Sequence, residues 1–254
     1  MKAIVKILFV LLLVLFVSTA CAIPFGPSLV KGSGKIVVEE RDVQNFEQIL
    51  VTGAGRVIIT QGDSESLTIE TDDNLMEYIE TEVKGKTLEI GFKDGTVLSS
   101  GGDQTALEPT DGFIFRINVI DLSSVTVSGA AKIENDKLKT DSLNIILSGA
   151  GDINLDDLNT DDLDVLISGA GDIQVVGAVN TQNVRLSGFG RYQGFDLKSQ
   201  QAVVIISGAG GAEVWVSDTL EVVISGAGDV KYYGSPDVNP EISGLGRIQS
   251  LGDK

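Results

Sequence analysis

Not one histidine occurs among the 254 residues. That absence excludes Ser-His-Asp triads and every metal site that needs imidazole. There is a single cysteine, Cys21, so no disulfide can close within the chain, and stability must come from packing and backbone hydrogen bonds. Aromatic residues make up only 6% of the sequence, which points to an aliphatic core. Basic residues are also scarce: 19 Lys and Arg stand against 36 Asp and Glu, a formal charge of −17. Such a surface repels phosphates and anionic headgroups, so nucleic acid is not an expected partner.

Long apolar runs are confined to the N-terminus. Lys2 and Lys6 precede an apolar stretch over 7–17 and then Ser18-Thr19-Ala20-Cys21-Ala22, the order of a secretory signal over residues 1–21. The stretch is short for a membrane span of about 20 residues, so cleavage is expected over permanent anchoring. Cys21 sits where a lipoprotein carries its lipid, although Ser18 stands where a lipobox usually has an aliphatic residue, and Ala20-Cys21-Ala22 also suits an ordinary signal peptidase. Lipidation at Cys21 and simple secretion both stay open, and membrane contact is expected only through such an anchor. Losing Lys2 and Lys6 takes the charge to −19.

What the chain has in abundance is glycine, 30 residues, much of it in one repeated turn. The copies run Thr52-Gly53-Ala54-Gly55, Ser128-Gly129-Ala130-Ala131, Ser148-Gly149-Ala150-Gly151, Ser168-Gly169-Ala170-Gly171, Ser187-Gly188-Phe189-Gly190, Ser207-Gly208-Ala209-Gly210, Ser225-Gly226-Ala227-Gly228 and Ser243-Gly244-Leu245-Gly246. From Ser128 on, they recur every 18 to 20 residues. A unit this short cannot bury its own apolar face, so successive copies must stack over a shared core. Apolar residues alternate on both sides of each turn, giving two short strands per unit. Stacking should line up Val125, Ile145, Val165, Val184, Val204 and Val222 inside. The fold class is therefore all-β, a β-helix-like solenoid of 18–20-residue repeats occupying residues 36–249.

The repeated serines invite a catalytic reading, but a nucleophile is needed once. A hydroxyl beside a tight bend that bonds nearby backbone and stacked neighbours is the better account. Four positions after each Ser or Thr stand Arg56, Lys132, Asp152, Asp172, Arg191, Gly211, Asp229 and Arg247. Mixed signs along one row indicate charge compensation rather than a line of calcium sites. No catalytic, metal or cofactor residue is assigned. Two positions before each Ser or Thr, on the outward side, Leu50, Ile146, Leu166, Ile205 and Val223 form an apolar stripe broken by Arg185 and Glu241. It is a candidate contact surface that the non-repeating insert between Gly53 and Gly129 is expected to cover. That insert reads as degenerate coils or an irregular cap, with a short helix near 73–79 and a mobile loop over 94–112. Residues 22–35 read as a tether and 250–254 as a tail.

The recurring Ser-Gly-Ala-Gly-Asp-Ile string, with Val51-Thr52-Gly53-Ala54-Gly55-Arg56-Val57 near its start and Asp229-Val230-Lys231-Tyr232-Tyr233-Gly234-Ser235-Pro236 near its end, resembles the GIN-domain family over about residues 36–249. The resemblance implies a right-handed β-helix-like fold on an exported adhesin head, and brings no catalytic or ligand residues with it. With no heptad run or membrane-strand series after residue 249, self-translocation is not expected. The leading expectation is an exported cell-envelope protein with a non-enzymatic, adhesion-like role toward a surface protein or glycan. Two alternatives stand beside it. One is a carbohydrate-active β-helix enzyme using Asp152 and Asp172 beside Arg191, and the other is an envelope protein that self-assembles as a homo-oligomer through the stripe.

Overall fold

The structure, a computed structural model, describes residues 29–97 and 105–254. The leader with Cys21, the first part of the tether, and the middle of the 94–112 segment lie outside the described residues. Each repeat forms one level of a β-solenoid, and consecutive levels pair in parallel. On the first side Gln48–Val51, Ser124–Val127 and Ser142–Leu147 stack in register, and the ladder continues to Asp237–Ile242. On the second side Ala54–Gln61, Ala130–Asn135 and the start of Ala150–Ile167 do the same, ending at Asp229–Tyr233 and Arg247–Ser250. A short third side begins where Leu138–Lys139 pairs with Leu158 and Asn159. The expected column of Val125, Ile145, Val165, Val184, Val204 and Val222 is interior, each at most 1% exposed.

The turn explains its own sequence. The Val127 carbonyl accepts both the Ser148 N–H at 2.9 Å and the Gly149 N–H at 3.1 Å, and the Leu147 carbonyl does the same for Ser168 and Gly169. This double acceptance draws successive levels together. A Cβ on Gly149 or Gly169 would lie 2.0 or 1.9 Å from the carbonyl oxygen of the glycine one level back, so no larger residue fits. The turn hydroxyls matter less than expected: of the eight, only those of Thr52 and Ser128 reach a carbonyl, at 3.3 and 3.5 Å. Backbone amides, not a hydroxyl ladder, hold the column.

The insert is a cap built from a displaced level. Thr87–Phe92 pairs in parallel with Gln48–Val51, and Ile114–Val119 pairs in parallel with Ala54–Gln61. Thr87–Phe92 and Ile114–Val119 thus stack below residues 48–61 although they follow them in sequence. Antiparallel strands then close the end: Ile79–Lys84 on Thr87–Phe92, and Ser66–Asp72 on Ile114–Val119 with Ile36–Arg41 beyond it. Phe46, Phe113 and Phe115 fill this end of the core. The helix near 73–79 is one 3₁₀ turn, Met76–Tyr78. Two expectations are corrected. Within the 94–112 segment Thr96–Val97 and Thr105–Glu108 are strands, and Leu29–Lys31 of the tether joins them in a small parallel sheet.

Asp72 locks that strap in place. Its carboxylate is fully buried and accepts from the Gly34 and Thr110 amides, both at 2.8 Å, and from the Thr110 hydroxyl at 2.7 Å. Burial works against the charge, but these hydrogen bonds outweigh it and hold the carboxyl below the usual aspartate range.

One interior level departs from aliphatic packing. Tyr192 lies inside the coil, its hydroxyl donating to Gln182 Oε1 at 2.9 Å. Gln182 Nε2 donates to Ser199 Oγ, which in turn donates to the Trp215 carbonyl, each at 2.8 Å. Burial pushes the phenol well above its ordinary value. Ala212, the next residue in the Tyr192 column, and Gly194, whose Cβ would lie 2.7 Å from the ring, make room for it.

At the other end the last level has an open edge. Ser243 N–H points inward to Ile224 O, so the alternation of a parallel strand sets position 240 outward. Pro240 stands there, where a missing N–H blunts the edge. The tail folds back, and the Lys254 ammonium reaches the Phe195 carbonyl at 2.9 Å and the Asp196 carboxylate, 5.2 Å from the Trp215 ring centre. No helix among the described residues is long and apolar enough to cross a membrane.

Gly169→Ala should lower stability by about 3 kcal/mol, whereas Gly211→Ala, whose Cβ would meet only the Asp229 carbonyl at 3.4 Å, should change it by less than about 1 kcal/mol; urea titration of both variants checks this. A depressed carboxyl stabilises the fold above the ordinary aspartate pKa of about 3.9 and loses that contribution as pH falls through its own lower value. Asp72→Asn should therefore melt well below wild type at pH 7, with the gap in Tm narrowing below about pH 4.

Candidate functional site

From Ala130 on, the third residue of each turn is exposed, and in six of the eight copies it is alanine. The exceptions are Phe189 and Leu245. The Phe189 amide donates to Gly169 O, Ala209 to Gly188 O, Ala227 to Gly208 O and Leu245 to Gly226 O, at 2.8 to 3.0 Å, so the four residues occupy successive levels of one column. Phe189 is 80% exposed and Leu245 85%. Three levels of about 4.8 Å separate them by roughly 14 Å, with the two alanines lying low between.

Two residues further on, the adjoining row reads Arg191, Gly211, Asp229 and Arg247. Gly211 leaves a gap in that row that the backbone does not demand, since a Cβ there makes only ordinary contact. The result is a trough of about 1020 Å³ with Phe189 and Leu245 as lips, Ala227 and Gly210 on its floor, and Arg191 and Lys231 along its far wall. The sequence carried the signal unread. Ser187-Gly188-Phe189-Gly190-Arg191 and Ser243-Gly244-Leu245-Gly246-Arg247 both pair a large apolar residue with an arginine two positions on.

Charge along the trough is compensated, as the mixed row predicts. Arg191 Nε donates to Asp172 at 3.2 Å, with a second, shorter contact from its Nη2. Arg247 donates to Asp229 through its amide at 3.0 Å and its guanidinium at 3.2 Å, and Lys231 meets Glu213 at 3.2 Å. The Arg247 hydrogen bond holds the Asp229 carboxyl below the usual range, and the Asp172 hydrogen bond raises Arg191 further. Asp152 accepts the Asp172 amide at 3.3 Å. The pair considered for carbohydrate cleavage, Asp152 and Asp172, is thus tied into backbone and ion-pair contacts. Among the described residues no group of three Asp, Glu, Cys or His side chains could hold a metal ion.

The five stripe residues do form one outward row on the first side, but the row is less continuous than its sequence suggested. Thr126 lies between Leu50 and Ile146, and Arg185 between Leu166 and Ile205. Leu166 is 36% exposed, and Leu50, Ile146, Ile205 and Val223 are half-buried against their neighbours. The described residues of the insert do not lie over this row. They stack on the end of the coil, because their strands find open backbone partners there.

Comparison with known proteins agrees with this architecture. A crystal structure of a "putative adhesin" from Bacteroides fragilis NCTC 9343 superposes with a TM-score of 0.80 at 22% identity, covering 87% of this chain and 100% of that one. A "putative adhesin" from Parabacteroides merdae ATCC 43184 gives 0.66 at 23%, covering 88% and 99%. A "putative lipid binding protein" from Parabacteroides distasonis ATCC 8503 gives 0.67 at 24%, covering 88% and 100%. At these identities the likeness is one of fold. No curated protein matches the chain. The family described as "Putative auto-transporter adhesin, head GIN domain" matches residues 45–236, three quarters of the sequence and nearly the whole solenoid, and the chain belongs to that family.

Proposed function

We propose that this chain is an exported, non-enzymatic binding module of the cell envelope whose partner, a surface protein or glycan, is held in the trough between Phe189 and Leu245. The observation that carries the reading is the exposure of those two side chains. Apolar area in water costs about 25 cal/mol per Å² relative to burial, and neither residue is needed for packing, since alanine serves at the same position in the other six turns. A trough bounded by two exposed apolar groups with polar groups along one wall has the composition of a recognition site. The family's description as an adhesin head supports the same role. So does the leader, which directs the chain outward and leaves Cys21 as a point of lipid attachment. The Leu50, Ile146, Leu166, Ile205 and Val223 row is the second contact surface to test, as the seam of a homo-oligomer.

Surface capture tests the assignment. The mature chain, immobilised and exposed to fixed cells and to pelleted envelope material, should retain at least about 10-fold more than Phe189→Ala/Leu245→Ala, as expected when two central anchors are removed. Equal capture by wild type and double variant would move the site away from the trough. Sedimentation of Ile146→Lys and Ile205→Lys examines the row, with monomers throughout removing the oligomer reading. Because the chain lacks histidine and Asp229 is held below the usual carboxyl range, capture through the trough should stay flat between pH 5 and 8, as read from the same assay.

A further inference from the structure

Resting on the trough as the binding site, we infer that its occupant is an extended polypeptide segment, neutral or basic in charge, laid along the solenoid axis with large apolar side chains at positions i and i+4. Four residues of extended chain span about 13 to 14 Å and place those two side chains on the same face. The lips are roughly 14 Å apart, three levels at about 4.8 Å each. A segment in this register seats one side chain against Phe189 and the other against Leu245, and its middle residues pass over Ala209 and Ala227.

The polar wall fits a peptide backbone. The side chains of Arg191 and Arg247 are 67% and 83% exposed, so each guanidinium presents N–H donors to the trough beyond those engaged with Asp172 and Asp229. Carbonyl oxygens of an extended chain are suitable acceptors. A strongly acidic segment is disfavoured by the field of a protein carrying −17.

The same features count against other occupants. A sugar chain is gripped by flat rings, and one lip is Leu245, while Tyr192 beneath the trough is buried with its hydroxyl committed to Gln182. An acyl chain needs a site that removes most of its surface from water, whereas this trough is open and its lips are themselves mostly exposed. A second copy docked antiparallel would bring Arg191 of each molecule against Arg247 of the other, like charge against like.

Gly211 supplies the clean test, because a side chain there fills the trough without a backbone clash. Phage-displayed random dodecapeptides are selected on the wild-type chain and counter-selected on Gly211→Gln, with urea midpoints confirming that both are folded. Recovered sequences should be enriched in large apolar residues at i and i+4. Labelled synthetic versions should lose at least about 10-fold in affinity on Gly211→Gln, on Leu245→Ala, and when their own anchors are moved to i and i+3. Recovered peptides that bind both proteins equally, or that show no i, i+4 pattern, overturn the inference. In parallel, glycan arrays, dansylated fatty acid and sedimentation are read on the same two proteins. If a sugar, an acyl probe or a second copy shows the Gly211→Gln loss and peptides do not, the polypeptide inference fails while the trough stands. If nothing bound by the wild type responds to Gly211→Gln, Phe189→Ala or Leu245→Ala, both readings fail.

Discussion

One hydrogen-bonding arrangement underlies the whole molecule: a single carbonyl on each level receives two consecutive amides from the next, as Val127 does from Ser148 and Gly149. Two donors on one acceptor pull the levels close enough that a Cβ at the following position would overlap a backbone oxygen. Glycine is thereby required at that position on every level from Gly129 to Gly244, the turn is repeated, and the strands on either side are forced into parallel register. The aliphatic columns of the interior follow from that register. With no disulfide available and few aromatic rings, this backbone column and the stacked aliphatic core account for the cohesion of the coil.

Much of this was legible in the amino-acid order, because identical constraints at every level leave identical residues behind. Stacking of Val125 on Ile145 on Val165 could be read from spacing alone. What escaped were the places where the repeat is broken. The level formed by Thr87–Phe92 and Ile114–Val119 hides because Ile90-Gly91-Phe92, where the motif would fall, has lost the serine and because a long insert separates its two halves. Tyr192 stands in a position that its neighbours fill with isoleucine and alanine, and its burial depends on Gln182, a residue ten positions away that reads as polar surface. Asp72, which holds the strap, gives no local sign of burial, because its partners Gly34 and Thr110 are 38 positions distant on either side. The two strands of the 94–112 segment were hidden by its turn-rich composition, and they are ordered by pairing with each other and, for Thr105–Glu108, with Leu29–Lys31.

The candidate site belongs to the same class of departures. Phe189, Leu245 and Gly211 each look like tolerated variation in a degenerate motif when taken singly. Their meaning appears when levels are superimposed, because the coil converts positions 56 residues apart in sequence into neighbours across a short trough. The apolar row that the alternation singled out is real as a row, yet Thr126 and Arg185 divide it and its members shelter one another. Recognition in such a scaffold can thus be written by changing a few turn residues without disturbing the ladder beneath them, which is why a single fold can present different surfaces at little structural cost.

The displaced level at the N-terminal end has a consequence for biogenesis. Residues 48–61 are sandwiched between segments that are both made later, Thr87–Phe92 and Ile114–Val119 on one flank and 124–135 on the other. A polypeptide threaded outward from its amino end would deliver that strand pair with neither neighbour present, so its apolar edges stay wet until more than seventy further residues have crossed. In a chain delivered in that order, closure of the coil would be a late event, and whatever keeps the early segment from sticking elsewhere would have to act throughout that interval.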